Sequence, residues 1–299
     1  MNLRAPTLDD VPNITRLFNR GSEELFGEAD ESDDDVRRFL TSDELDSAED
    51  IRLAEADGEL VGYADIYPHP HPTYWVDVRV APSDESPLRA QLLDWTLERV
   101  REKGGDRVLG FAWAQDGRMR RALAQAGFER TRGNYRMGIE FGGALEEPRP
   151  PDGMRIRPMT PEDARVAYET HEETFQDMWG HAPTSFEDWQ HWLLGDDHDW
   201  SLFFVAEAGG EPAGVALCRP SPNEPEIGAI RVVGVRRHWR RKGVGRALML
   251  HAFAEFRRRG MRGASLGVDA ESLTGAQRLY ASVGMHVDRE SDIFERALS

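Results

Sequence analysis

Residues 236–242 read RRHWRRK, five of the seven being Lys or Arg, and GVGRAL follows at once. A Gly-x-Gly loop that feeds a helix is an anion site. The first backbone N–H groups of the helix lack an intrahelical acceptor, and the positive end of its dipole points the same way. Gly243 and Gly245 let the backbone approach a ligand closely, while Arg240, Arg241, Lys242 and Arg246 bring positive charge. The chemistry such a pattern serves is holding a phosphate-bearing small molecule. It is not a dinucleotide loop, because Leu248 stands where Gly-x-Gly-x-x-Gly needs its third glycine. The same charge, with the run Arg257–Arg262, also fits a nucleic-acid surface. The second run, however, ends a helix, where cations stabilise the dipole without any ligand.

Two further groups of residues invite a chemical reading. The stretch 169–200 gathers four Trp, four His and many acids. Its histidines lack a His-x-x-x-His spacing, so no metal is expected there. Cys218 lies in AGVALC, a strand-like run, and is expected to be a buried thiol rather than a nucleophile.

The composition narrows the choice. The chain has 299 residues and a formal charge of −17, with 39% hydrophobic and 30% charged residues. Such a field repels nucleic acid and anionic membrane, so neither is expected as a partner. The single cysteine excludes an intramolecular disulfide, no apolar run reaches the length of a membrane span, and the start MNLRAPTLDDV has no signal-peptide core. A cytoplasmic protein is expected. The acidic block 28–36 lacks a calcium-loop spacing and is expected to be solvated.

The elements that must position the loop occur twice. LRAPTLDD parallels IRPMTPED, AEADGELVG parallels AEAGGEPAG, VRVAP parallels VGVRR, and LAQAGF parallels YASVGM, in the same order and at a nearly constant offset. A series of this kind indicates an internal duplication. The Gly/Pro-rich segment GGALEEPRPPDG lies between the copies. The spacing predicts two domains, residues 1–142 and 153–299, joined by a linker over 143–152. Each copy predicts a strand, a helix capped by Thr7 with Asp10 or Thr160 with Asp163, a hairpin with a glycine turn, a further strand, a long helix, then strand, short helix and strand. The fold class is α+β, a mixed and largely antiparallel sheet with helices on both faces.

The C-terminal copy resembles the GNAT N-acetyltransferase superfamily, and the whole chain its tandem two-domain type. The loop pattern Arg/Gln-x-x-Gly-x-Gly/Ala is met by Arg240-x-x-Gly243-x-Gly245. The helix pattern A-x-x-L-Y-x-x-x-G-F is met by Ala276, Leu279, Tyr280 and Gly284, with Met285 for Phe. The resemblance covers about residues 153–298, and weakly 1–141. It implies an acetyl-CoA-dependent N-acetyltransferase without a metal. Backbone N–H groups from Arg241 through Lys242, Gly243, Val244 and Gly245 to Arg246 would hold the coenzyme pyrophosphate, and Val233, Gly234 and Ser272 would also contact the coenzyme. The Val235 N–H would bind the acetyl carbonyl, an amine would attack the thioester directly, and Tyr280 would protonate the departing thiolate. Ala229 stands where the family often carries a basic Glu, which leaves Glu226 as the nearest acid. Ser272 replaces a frequent Asn, and Arg237 a frequent Pro.

The resemblance also places the acceptor beside the segment after the first strand. There Glu172, Glu173 or Asp177 would hold a cationic amine. Trp179, Trp189 and Trp192 either wall that site or anchor helices to the sheet. The acceptor is expected to be an amine on a small molecule or peptide. In the N-terminal copy SDESPL replaces the glycine loop, and Leu123 stands at the position of Tyr280. Asp84 and Glu85 carry the wrong charge for a pyrophosphate, and Pro87 lacks an N–H. That copy is expected to be catalytically inert, and a chain holding two copies is expected to work as a monomer. The lost strand Glu also leaves open a non-catalytic acyl-CoA-binding module.

Overall fold

The computed structural model describes residues 2–298 except 43–44, 70–71, 83–85, 144, 177, 179–180, 182, 191–192, 194–197, 222–223 and 273–274. It forms two compact units, residues 1–134 with 290–299, and residues 135–289. In the first unit the chain runs β1 (Asn2–Arg4), α1 (Val11–Phe26), α2 (Asp33–Leu40), α3 (Ser47–Asp50), β2 (Ile51–Ala56), β3 (Glu59–Pro68), β4 (Thr73–Val80), α4 (Leu88–Glu102), β5 (Arg107–Trp113), α5 (Gly117–Gln125) and β6 (Glu129–Glu140). The second unit takes over within β6. It continues with β7 (Met154–Pro158), α6 (Ala164–Phe175), α7 (Phe186–Trp189), β8 (Phe203–Ala208), β9 (Glu211–Pro220), β10 (Ile227–Val235), α8 (Val244–Arg258), β11 (Gly263–Asp269), α9 (Ala276–Ser282) and β12 (His286–Ala297), whose end returns to the first unit.

The strand order is β1-β2-β3-β4-β5-β12 in the first unit and β6-β11-β10-β9-β8-β7 in the second. The pairings β4–β5 and β10–β11 are parallel, and the other registered pairs are antiparallel. This is the α+β class that the sequence predicts. Among the described residues no helix is long and apolar enough to cross a membrane.

The duplication extends to individual ion pairs. In the first unit Arg4 bonds Asp10 and Glu55, and Asp10 accepts from the Thr7 N–H at 2.7 Å. In the second, Arg157 bonds Asp163 and Glu207, and Asp163 accepts from the Thr160 N–H at 2.8 Å. Each network ties the first strand to the next one and to the start of the first helix. Each satisfies helix-end donors that would otherwise be orphaned.

The boundaries differ from the division at 142 and 153 by one exchanged strand. Ser291 to Ala297 of β12 pair with Trp113 to Arg107 of β5. In return, the second half of β6 lies against β11, with the Phe141 N–H donating to the Arg262 carbonyl at 2.7 Å. Strand partners are fixed by edges that are distant in sequence, so no local signal marks this exchange. The expected linker is also anchored within the second unit. Arg257 donates to the Gly143 carbonyl at 2.8 Å, Arg246 forms a bidentate pair with Glu146, and Pro151 lies against Gly243.

Each sheet carries helices on both faces. In the second unit α8 buries Val244, Leu248, Leu250, Phe253 and Phe256 against one face. The other face holds Val215, Leu217 and Val232, with Phe203 of β8 beside them, under Trp189 and Leu193.

Candidate active site

The site forms where β10 stops pairing with one of its neighbours. On one side β10 keeps its ladder with β9 to the end, through Gly234↔Val215 and Val235↔Gly214, and the Arg236 N–H donates to the Ala213 carbonyl at 3.0 Å. Backbone groups alternate sides along an antiparallel strand. The Gly234 N–H therefore faces β9 together with that of Arg236, and the Val233 and Val235 N–H groups face β11. On that side the registered ladder covers only Ile227↔Gly263, Gly228↔Ala264 and Ala229↔Ser265. β10 runs on to Val235 and β11 to Asp269, so a wedge opens between them beyond Ala229. A bulge between Ile230 and Val232 bends β10 where the wedge begins.

The loop after β10 turns back to close one end of this wedge. The Nε of Arg240 donates to the Val235 carbonyl at 3.1 Å. Arg241 has φ 60 and Gly243 φ 85, on either side of Lys242. Left-handed residues in such a loop turn N–H groups towards one concavity, which is an anion nest. α8 starts at Val244, so its first N–H groups and its dipole add to that concavity. A side chain is tolerated poorly at φ 85, which accounts for glycine at 243, and the strain at Arg241 is of the kind found at ligand clamps. Arg241 and Lys242 are exposed, and the Lys242 ammonium lies 4.6 Å from the Trp239 ring centre.

Tyr280 sits on α9, which packs on α8 where Leu279 meets Gly245. It is 9% exposed and belongs to the same apolar cluster as Val244 and Leu248, which Val233 and Val235 flank. Burial pushes its phenol up to about 12, so at neutral pH it holds its proton and is suited to donate it. Ser272 lies in the turn after β11, its N–H donating to the Asp269 carbonyl at 3.2 Å. α9 is capped by Gly275, and Gln277 donates back to the carbonyls of Ala270 and Asp269.

The structure does not bring Glu226 to this group. It precedes β10 at the end opposite Val235, and nine extended residues put about 30 Å between them. Its own N–H and then Arg262 hold its carboxyl below the ordinary range, which further disfavours it as a base. Arg236, the first residue of the basic run, is also tied down. It is half-buried rather than solvated, with its Nε donating to Thr170 at 3.1 Å and lying 3.7 Å from Glu173. Glu173 also accepts the Arg237 N–H at 3.0 Å. That leaves it holding the turn after β10 rather than presenting itself to an amine.

α6 crosses over the end of β10. A Cβ built on Gly234 would lie 2.6 Å from the Thr174 Oγ1, so the absent side chain is what admits the helix. On the same helix Glu172 lies half-buried between two imidazoles, 3.5 Å from His171 Nδ1 and 3.5 Å from His181 Nε2. Burial lowers the pKa of His171 and favours its neutral form. Trp189 is fully buried against Tyr168, Phe186 and His171, so it anchors α7 and is not a ligand wall. Asp177, Trp179 and Trp192 lie outside the described residues.

The corresponding parts of the first unit are built differently. Pro87 precedes α4, and Leu123 is fully buried, with its Cδ2 2.9 Å from where a Cβ on Gly110 would sit. Residues 83–85 lie outside the description.

A strand wedge, a left-handed loop at a helix start and a buried phenol thus lie in one region of the second unit. The sequence profile of the Acetyltransferase (GNAT) family matches residues 165–285. The mycothiol acetyltransferase of Thermobispora bispora is 31% identical over 193 residues, covering 63% of this chain and 65% of that protein. The mycothiol acetyltransferase of Geodermatophilus obscurus is 30% identical over 252 residues, covering 79% and 78%. A GCN5-related N-acetyltransferase from Sphaerobacter thermophilus superposes with a TM-score of 0.88 at 30% identity, over 99% of this chain and 95% of that one. The chain belongs to the GNAT family of acetyltransferases, and acetyl transfer is its class of chemistry.

Proposed function

We propose that the second unit is an acetyl-CoA-dependent N-acetyltransferase in which an amine of a small molecule or peptide attacks the thioester directly. The wedge beside Val235 is the observation that carries this reading. Its backbone N–H faces the gap where a thioester carbonyl would lie, and the phosphate nest sits at the near end. The residues fit the coenzyme. N–H groups from Arg241 to Arg246 would take its pyrophosphate, with Arg240, Arg241 and Lys242 supplying charge. Val233 and Gly234 would flank the donor arm, and Ser272 would close the side towards β11. As the new N–C bond forms and the C–S bond breaks, the Val235 N–H stabilises the oxyanion and Tyr280 gives its proton to the thiolate.

Glu226 is out of reach, so the proton lost by the amine goes instead to the Glu172–His171 pair. Glu172 would hold the amine and neutral His171 accept the proton. Asp177 and Trp179 would complete the acceptor side. The relatives' names point to a small-molecule acceptor. The enzyme works as a cytoplasmic monomer in this reading, with the first unit as an inert support.

Thiol release from acetyl-CoA across a panel of small amines and peptides tests the proposal, with the variant Tyr280→Phe alongside. At least one amine should release thiol in step with N-acetyl product, and the variant should lose most of the rate. A second reading, an acyl-CoA-binding module without turnover, is favoured by Ala229 and by the remoteness of Glu226. Calorimetry showing tight acetyl-CoA binding, with no thiol release for any amine, would decide for it.

A further inference from the structure

The first unit contains a cavity of about 430 Å³ that lies over β3 and β4 on the side of α1 and α2. Its floor follows from strand geometry. Tyr63, Asp65 and Tyr67 alternate along β3 and share one face, and the register sets them opposite Arg79, Asp77 and Trp75 of β4. The floor is therefore three cross-strand pairs: a tyrosine with an arginine, two aspartates, and a tyrosine with a tryptophan. The intervening Ala64, Ile66 and Val78 point the other way, into the core with Leu92 and Leu93 of α4. Phe18 of α1 and Phe39 of α2 complete the walls, with Phe39 stacked on Tyr67 at 6.0 Å.

The lining is acidic as well as aromatic. Asp65 is 5% exposed and accepts the Tyr63 hydroxyl at 2.8 Å. Asp77 faces it, and Glu31 joins them from the loop before α2. Among the described residues of the lining, one guanidinium stands against these three carboxylates. Arg79 pairs with Asp77 at 2.7 Å, lies 3.7 Å from Glu31, and covers the Phe18 ring at 4.0 Å. Asp35, also in the lining, is paired with Arg38. Burial first, and then the charge of Asp77, push the Asp65 carboxyl up to about 8. Burial likewise raises the Glu31 carboxyl. The walls thus hold more acid than they can neutralise, in a space within the range of about 300–1,000 Å³ usual for small-molecule sites.

We propose that this cavity binds a small organic cation, an alkylammonium group carried on an apolar or aromatic body. The ammonium would sit between Asp65, Asp77 and Glu31, taking the place of the proton that Asp65 otherwise holds, and the rings of Trp75, Tyr67 and Phe39 would take the body by stacking and cation–π contact. The site lies within the first unit and does not rest on the chemistry assigned to the second.

The test uses the full chain and 2-phenylethylamine as the probe, with 3-phenylpropanoate as its charge-reversed counterpart. Calorimetry should show binding of the amine and at least tenfold weaker binding of the carboxylate. The variants Asp65→Asn and Asp77→Asn should each weaken the amine at least tenfold. In protein labelled with 5-fluorotryptophan, the resonance assigned to Trp75 through Trp75→Phe should shift on titration of the unsubstituted protein. That readout stands even if a variant fails to fold. No binding at millimolar amine, equal binding of the carboxylate, or amine binding that leaves the Trp75 resonance still would each overturn the proposal.

Discussion

The two units present the same sheet face to the same pair of helices, and they fill it in opposite ways. In the second unit Val215, Leu217 and Val232 make it a dry core beneath α6 and α7. In the first, Tyr63, Asp65 and Asp77 stand at the matching strand positions and leave a cavity. The difference turns on one pair. Gly234 admits Thr174 at contact distance, whereas Arg79, at the equivalent place in β4, projects a guanidinium over Phe18. On the opposite face the contrast reverses, with a glycine loop and Tyr280 in the second unit against Pro87 and a core Leu123 in the first. A duplicated fold can keep its frame while its copies diverge, here at the helix start after the fourth strand and over the hairpin.

Four measurements would break or sharpen this comparison. The largest effect belongs to Tyr280→Phe, which keeps the ring and removes the proton. Its kcat should fall about 100-fold with coenzyme affinity unchanged, while Leu123→Tyr should gain no activity. A Tyr280→Phe enzyme within threefold of the parent would remove the phenol from the mechanism.

The matched networks should respond alike. Asp10→Ala and Asp163→Ala each remove a capping carboxylate and an arginine partner, and each should cost about 2 kcal/mol in urea unfolding. Their hydrogen bonds to Arg4 and Arg157, first among the causes, hold both carboxyls down at about 2. This stabilisation is complete above the unfolded value of about 4 and is lost as pH falls towards 2. Effects that differ by much more than the fitting error would show that the two frames are not equivalent.

Gly243→Ala forces a side chain into a left-handed position and should weaken coenzyme binding about tenfold by calorimetry, the equivalent of ~1.4 kcal/mol. The smallest effect is a slope. Asp65 holds a proton in the folded state up to about pH 8 that the unfolded chain loses near 4. Wild-type stability should therefore fall as pH rises through that window. Asp65→Asn lacks the titration, so its melting temperature should gain on the parent from pH 5 to 8, by a few degrees at the upper end. Parallel curves would mean that Asp65 is ionised throughout.

Much of the frame was legible because it is local. Thr-x-x-Asp caps, glycine turns and period-two strands announce themselves within a few residues, and their repetition at one offset revealed the duplication. The left-handed loop before α8 and the helix that carries Tyr280 were legible for the same reason, each lying in a short pattern. Glu226 misled because nearness in sequence along a strand means distance in space. The strand exchange and the Arg246–Glu146 pair depend on partners far apart in the chain. Trp189 showed an aromatic residue without showing which way it faced. The cavity did leave a signal that went unused: Asp65 in YADIY and Asp77 in WVDVR break otherwise apolar strands at the positions facing α1, where a charge has no reason to be unless something answers it.

The exchanged strand carries a consequence for how the protein comes into being. The edge of β5 away from β4 pairs with residues 291–297, which follow the whole of the second unit in the chain. During synthesis the first unit therefore waits, one sheet edge open, until all of residues 135–289 have left the ribosome. Open edges invite wrong partners. A nascent chain halted between the two copies would be exposed to aggregation, and cutting the gene at the Gly/Pro segment would give two halves that each lack a strand.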